Sequence, residues 1–405
     1  MGENSTQDKD SLWRRFRYGT LGSRRGSGRA AAEPNAVWPA LSGEFEEPHG
    51  KGPVPPGPGP GMEPGSAAAV ERHARAVDEV RTLLDTIERA PEDRARAAAT
   101  VEEMLDQCRA GQYTVKGVES MVDEILSRGS APAMKAIAGL KSSDQTYAHC
   151  VDVSVILEET YADMLARQGK VPAESNRHFV LVAGFVHDIG KSEVPRDILE
   201  STVRFAPDGP EMMMMRNHTT YGARILTQMG MHPVTVNVAH YHHVKRDTRL
   251  FTSYPEVPYD QVRPITRLAS IVDVYQALIG RRRYKKNWAS GKAIEYVCGL
   301  KSTEFDEAIL DGFVDSIGIY PVGTLVRLST QELAYVLGIG PREHPRRPIV
   351  AIVENARGEL LTHHGLLDLM LDADIEVEAV VDHYEHYNKS EDQAYQVFRS
   401  IRIDA

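Results

Sequence analysis

Seven side chains between positions 149 and 273 have the types that hold divalent metal ions. His187 and Asp188 stand side by side in GFVHDIGKSEVP, which spans 184–195 near the end of an apolar helical run. Neighbouring side chains on a helix point about 100° apart, so the pair is poorly placed to chelate one ion through one face. The two oxygens of Asp188 can instead bridge two ions roughly 3.5–4 Å apart. Alone, such a dipeptide is better explained as a capped helix end with a satisfied core histidine. Its companions change the reading: His149, His218 in MRNHTTYGARIL, the doublet His242 and His243 in AHYHHVKRD, and Asp273 in LASIVDVYQAL. Imidazole and carboxylate without thiolate suit iron, manganese, zinc or cobalt rather than a structural zinc.

These residues fall in separate predicted helices or at helix ends, so folding must gather them. Amphipathic segments at 151–165 and 176–186 supply two of those helices. Upstream, Val77, Val80, Leu83, Leu84 and Ile87 recur at helical spacing, and Val101, Met104 and Leu105 begin a second such face. Downstream, GTLVRLS, ELAYVLGIG, RRPIVAIVE and IEVEAVV are short β-branched runs separated by Gly, Pro and Ser, which predicts a small antiparallel sheet. The expected organisation is a disordered Pro/Gly-rich tail at 1–65, an N-terminal helical region at 66–140, a catalytic helical domain at 141–320 and a small β-containing extension at 321–405. The fold class is mainly α, a helical bundle followed by a C-terminal antiparallel β subdomain.

Bulk composition narrows the partners. A net charge of −10 opposes general binding of nucleic-acid polymers, which needs a basic face. No apolar run reaches the roughly 18 residues of a membrane helix, and a cytoplasmic location is expected. The three cysteines, Cys108, Cys150 and Cys298, fit neither a disulfide framework nor a thiolate zinc site and read as buried thiols. The Arg281–Lys286 cluster would offer a local positive site for an anion. His178, His232 and His240 read as exposed or capping residues, His363 and His364 as surface residues, and Met212–Met215 as gap-filling beside His218.

The order, spacing and context of HDIGKSEVP, RNHTTYGARIL, VDVYQAL with RRRYKK, and YPVGTLVRLS resemble the HD-GYP family, a branch of the HD phosphohydrolase superfamily that hydrolyses cyclic di-GMP. The resemblance spans about 66–353. It implies an HD-type helical bundle in which His149, His187, Asp188, His218, His242, His243 and Asp273 ligate two divalent ions, with Asp188 bridging. Iron or manganese are the first expectations, with zinc, cobalt or nickel as alternatives. It further implies that a metal-bridging hydroxide attacks phosphorus in line, that Asp188 and Lys191 serve catalysis, and that Lys191, Arg282 and Tyr284 hold the substrate. The product would be linear pGpG, GMP or both.

Three departures stand out. Val244 replaces the family's acidic residue after the His doublet, Ser253-Tyr254-Pro255 replaces Gly-Tyr-Pro after extra residues around Leu250 and Phe251, and Arg283 replaces a proline. Gln145, where some relatives carry a glutamate for a third metal, points to two ions. Two alternatives therefore stand beside the phosphodiesterase: a weak or inactive cyclic-dinucleotide receptor or interaction module, and a phosphohydrolase for another nucleotide. A signalling partner docking through the tail or the extension, and a homodimer, remain open.

Overall fold

The computed structural model describes residues 47, 63–140, 146–201, 203, 205–280 and 288–403. The expected tail lies outside the described residues except at its end and at Glu47, which accepts hydrogen bonds from Arg263 Nε at 2.5 Å and the Ile265 amide at 3.1 Å.

Four helices lead the described chain: α1 (Ala67–Thr86), α2 (Ala90–Arg109), α3 (Lys116–Arg128) and α4 (Ala131–Leu140). The Ser66 hydroxyl caps α1 by accepting from the Ala69 amide. Gly129 ends α3 at φ +60°, a conformation in which glycine avoids Cβ strain. On α3 the buried set is Val118, Met121, Val122 and Ile125, one apolar stripe at helical spacing.

The bundle proper follows with α5 (Thr146–Ala166), α6 (Glu174–Val186), a 3-10 turn at Ile189–Glu193, α7 (Arg196–Leu199), α8 (Pro210–Arg216), α9 (His218–Gln228), α10 (Pro233–Tyr241), α11 (Pro264–Ile279), α12 (Ser290–Cys298) and α13 (Glu307–Ile317). Helices α5 and α6 lie between two apolar cores. Val151, Leu181 and Phe185 face the core shared with the leading helices, while Ile156, Val180 and Ala183 face the core shared with α10–α13. Gly184 makes their close crossing possible: a Cβ there would meet the Ser154 Cα at 2.3 Å. Ser154 Oγ seals the crossing by donating to the Leu181 carbonyl at 2.6 Å.

A five-stranded antiparallel sheet completes the fold: β1 (Leu325–Leu328), β2 (Leu333–Gly338), β3 (Ile349–Glu354), β4 (Leu366–Asp368) and β5 (Val377–Val381), in spatial order β4-β3-β2-β1-β5. All four anticipated apolar runs contribute a strand. The three-residue β4 and the closing helices α14 (His383–His386) and α15 (Glu391–Arg399) were not anticipated. α15 buries Phe398 against Tyr335 of β2, with ring centroids 5.2 Å apart. Mostly helical with a small C-terminal antiparallel sheet, the architecture agrees with the expected fold class.

Three expectations are corrected by burial. Cys298 is exposed, because it ends the short helix α12, whereas Cys108 and Cys150 are buried. His364 is buried, accepting at Nδ1 from the Arg402 amide at 3.4 Å, while His363 is exposed. Met213 and Met214 face solvent rather than filling a gap, since the short α8 buries no side chain. Among the described residues no helix is long and apolar enough to cross a membrane.

Candidate metal centre

Every residue of the seven-member set comes from a helix or its end. His149 lies on the first turn of α5, His187 closes α6, and Asp188 precedes the 3-10 turn. His218 opens α9, His242 and His243 follow α10, and Asp273 sits within α11. Gly190 lets the 3-10 turn press against α9, because a Cβ there would lie 1.8 Å from the His218 carbonyl oxygen and 2.4 Å from the Gly222 amide nitrogen. That approach carries Asp188 to His218.

Two groups of ligand atoms result, each within 4.8 Å: His149, His187 and Asp188 in one, and His218, His242 and His243 in the other. Asp188 faces both. Its Oδ2 lies 3.4 Å from His187 Nε2, and its Oδ1 lies 3.2 Å from His218 Nε2 and 4.0 Å from His242 Nε2. Asp273 makes the opposite wall, with Oδ1 3.0 Å from His149 Nε2 and Oδ2 4.0 Å from His243 Nδ1. Lys191 places its ammonium on Asp188 Oδ2.

Backbone carbonyls fix three of the imidazoles. His187 Nδ1 donates to Gly184 O at 2.7 Å, His218 Nδ1 to Met215 O at 2.6 Å and His242 Nδ1 to Val238 O at 3.0 Å. With Nδ1 as donor, the neutral ring presents a bare Nε2 to the centre. Burial drives the rings toward that neutral form: His218 falls from the ordinary 6.5 to about 4 and His242 to about 3, and His187 and His243 are also lowered by burial. Burial alone would raise the Asp188 carboxyl, but Lys191 and the surrounding imidazoles hold it well below the usual carboxylate range. Asp273 is likewise held low against burial by its hydrogen bond and charge interaction with His149.

Nitrogen lone pairs thus converge on carboxylate oxygens in a nearly dry pocket, where Lys191 sits on Asp188 and Lys245 acts through its charge on Asp273 and His243. Among the described residues, His187 Nε2 and Asp188 Oδ1 are buried without a hydrogen-bond partner. An array of acceptors facing acceptors is costly unless cations sit among them. The donor set fits divalent ions of imidazole and carboxylate preference.

Tyr254 forms part of the rim, its ring centroid 4.7 Å from that of His243 and 6.3 Å from that of His218. Arg216 lies 3.7 Å above the Phe251 ring and 5.5 Å from the Tyr254 ring centroid. Phe251 itself is exposed. Val244 is buried, and Lys245 tucks beneath the loop with Nζ 3.2 Å from Ser270 Oγ and 3.8 Å from Glu304. Arg282, Tyr284 and the rest of the Arg281–Lys286 cluster, like Gln145, lie outside the described residues. His232 caps α10 by accepting from the Val234 amide, and His178 pairs with Asp123 at 3.3 Å.

Side chains behind the centre escaped the sequence reading. Gln276 Oε1 contacts His149 Nδ1, Gln276 Nε2 donates to Asp152 Oδ2 at 3.0 Å, and Arg94 of α2 clamps Asp152 with two 2.6 Å bonds. A signal was present: Asp152 and Gln276 each follow an expected ligand by three residues on the same helix, one turn along.

Residues 146–278 match the HD domain family. Within that class, the chain is 33% identical over 284 residues to the cyclic di-GMP phosphodiesterase PA4108 of Pseudomonas aeruginosa, covering 68% of this chain and 65% of that protein. It is 30% identical over 142 residues to the 3'3'-cGAMP-specific phosphodiesterase 2 of Vibrio cholerae, covering 34% and 26% of the two chains. The chain therefore spans just under two thirds of the first of these relatives and about a quarter of the second. Among solved structures, Bd1817, an HDG"Y"P protein from Bdellovibrio bacteriovorus, aligns with a TM-score of 0.40 at 14% identity over 62% of this chain and 81% of that one.

Proposed function

We propose that the chain is a metal-dependent phosphodiesterase that opens a cyclic dinucleotide, with cyclic di-GMP as the first substrate to test. The observation that carries this reading is the inward-facing set of imidazole nitrogens around Asp188, whose two oxygens address two separate groups of histidines. Relatives named as cyclic di-GMP and 3'3'-cGAMP phosphodiesterases support the substrate class.

In this reading His149, His187, Asp188 and Asp273 hold one ion, and His218, His242 and His243 hold the other with Asp188 shared. When bound, such a pair lowers the pKa of water near neutrality and offsets charge on phosphoryl oxygens. Asp188 fixes the spacing of the two halves through its paired oxygens. Lys191 keeps Asp188 ionised and, on exchanging that contact for a phosphate oxygen, would stabilise charge developing there. The carbonyl-anchored imidazoles cannot swing away without losing their hydrogen bonds. Arg282 and Tyr284 remain proposed substrate contacts.

Another cyclic dinucleotide is the second substrate reading, favoured by the rim: Phe251 and Arg216 stand where the departures from the family pattern fall. Incubation of the purified protein with cyclic di-GMP and 3'3'-cGAMP side by side, followed by chromatography, separates the readings. Faster loss of cyclic di-GMP, with pGpG or GMP appearing, supports the first. Faster loss of 3'3'-cGAMP supports the second, and survival of both opposes phosphodiesterase activity on this class.

A further inference from the structure

Behind His149 runs a buried chain of polar groups that begins outside the HD segment. Arg94 of α2 donates from Nε and Nη2 to the two oxygens of Asp152 at 2.6 Å each. Gln276 Nε2 donates to Asp152 Oδ2 at 3.0 Å, and Gln276 Oε1 meets His149 Nδ1. His149 Nε2 then faces Asp273 Oδ1 at 3.0 Å. Arg94, Asp152 and Gln276 are 8%, 1% and 4% exposed, so water does not substitute for these partners.

From Arg94 to His149 Nδ1 the donors and acceptors leave a single consistent order. The guanidinium only donates, so both oxygens of Asp152 accept. An acceptor at Asp152 obliges Gln276 to present its NH2 there and its carbonyl oxygen to His149. That carbonyl can only accept, so it holds a proton on His149 Nδ1, and an ion entering the centre would take the place of the proton that Asp273 draws to Nε2. The orientation of an amide and the tautomer of an imidazole are thus set by an arginine on the leading helices.

We infer that Arg94, Asp152 and Gln276 act as a positioning relay that holds His149 in the metal-binding tautomer, making α2 part of the metal centre. The inference rests on the reading of the seven side chains as a metal site. It gives the 66–140 helices a role that packing alone does not describe, because the relay transmits hydrogen-bond polarity as well as shape.

The acceptor at His149 Nδ1 can be removed and then restored at nearly constant volume. Gln276→Met keeps the length of the side chain but offers His149 Nδ1 only a weakly accepting thioether. Gln276→Glu combined with Asp152→Asn instead supplies a carboxylate that accepts from both sides, the new amide donating to it while its oxygen accepts from Arg94.

The full-length metal-free protein, labelled with 15N-histidine, would be titrated with Mn2+ and its His149 tautomer read by NMR, with the signal assigned by His149→Gln. The relay predicts a proton on Nδ1 of His149 in the native sequence. Gln276→Met should weaken one Mn2+ site by roughly 10–100-fold, the range for loss of an outer-shell partner. The double variant Asp152→Asn/Gln276→Glu should keep most of the native affinity. A His149 with no proton on Nδ1 in the native sequence overturns the relay even where a variant fails to fold. Unchanged Mn2+ affinity in Gln276→Met, or equal weakening in it and in the double variant, also overturns it. Failure of the native protein to bind Mn2+ or another divalent ion would instead remove the metal-site reading beneath it.

Discussion

Nε2 of His218 lies 3.2 Å from Oδ1 of Asp188, and the His218 proton is on the far side of the ring, held at Nδ1 by the Met215 carbonyl. The contact is therefore a meeting of two acceptors, and its chemistry depends on what positive charge enters between them.

Acid should destabilise the metal-free protein through these rings. Burial lowers His218 to about 4 and His242 to about 3, so between those values and the ordinary 6.5 the unfolded chain binds more protons than the folded one. Stability then rises with pH across that window and is lost as pH falls through it. Urea titration of metal-free protein at pH 7 and pH 5 should show a loss of order 1–2 kcal/mol per histidine. Equal or greater stability at pH 5, beyond the contribution of other carboxylates measured in His218→Ala, would contradict neutral buried imidazoles.

Backbone closeness at Gly190 should be as important as any ligand. Gly190→Ala drives a methyl to within 1.8 Å of the His218 carbonyl oxygen, a backbone atom that cannot turn aside. Separation of the 3-10 turn from α9 should cost about 1–3 kcal/mol or more and reduce bound metal. A variant with native thermal stability and native metal content would show that Asp188 and His218 do not depend on this approach.

Much of this arrangement was legible in residue order, and the limits of that legibility are physical. His187 and Asp188 became legible as ligands only beside His149, His218, His242, His243 and Asp273, because alone the pair reads as a capped helix end. The strands β1, β2, β3 and β5 announce themselves by β-branched runs between turn residues. β4 is only Leu366–Asp368, too short for alternation to be visible. The Arg94–Asp152 pair was hidden for another reason: it joins helices far apart in sequence, and an arginine in an amphipathic helix looks solvated until its partner is placed. His364 and Cys298 were misjudged because their burial is decided by tertiary neighbours rather than by local pattern.

Metal removal should lower thermal stability. Cations that satisfy the converging nitrogen and oxygen lone pairs bind the folded chain alone, so saturation at about 100 times Kd adds roughly 2.7 kcal/mol. Dialysis against a chelator should drop Tm by about 5 °C or more, and Mn2+ should restore it. A Tm indifferent to both treatments would contradict the proposed ligand set.

At the rim, Phe251→Ala should alter substrate binding while leaving the metals in place. Stacking of a base on an exposed ring is worth about 1–3 kcal/mol, so KM should rise by roughly 5- to 100-fold with little change in kcat. A fall in kcat with KM and metal content unchanged would assign Phe251 and its Arg216 neighbour a different role.

The central claim is that Asp188 organises two ions for phosphodiester hydrolysis. Protein purified with its metals retained should be assayed for cyclic di-GMP hydrolysis and for metal content on the same sample, beside Asp188→Ala. The account predicts turnover with about two ions per chain in the native protein, and a loss of at least about 10^3-fold with diminished metal in the variant. Intact cyclic di-GMP across a range of supplied metals, or undiminished turnover in Asp188→Ala, would contradict it.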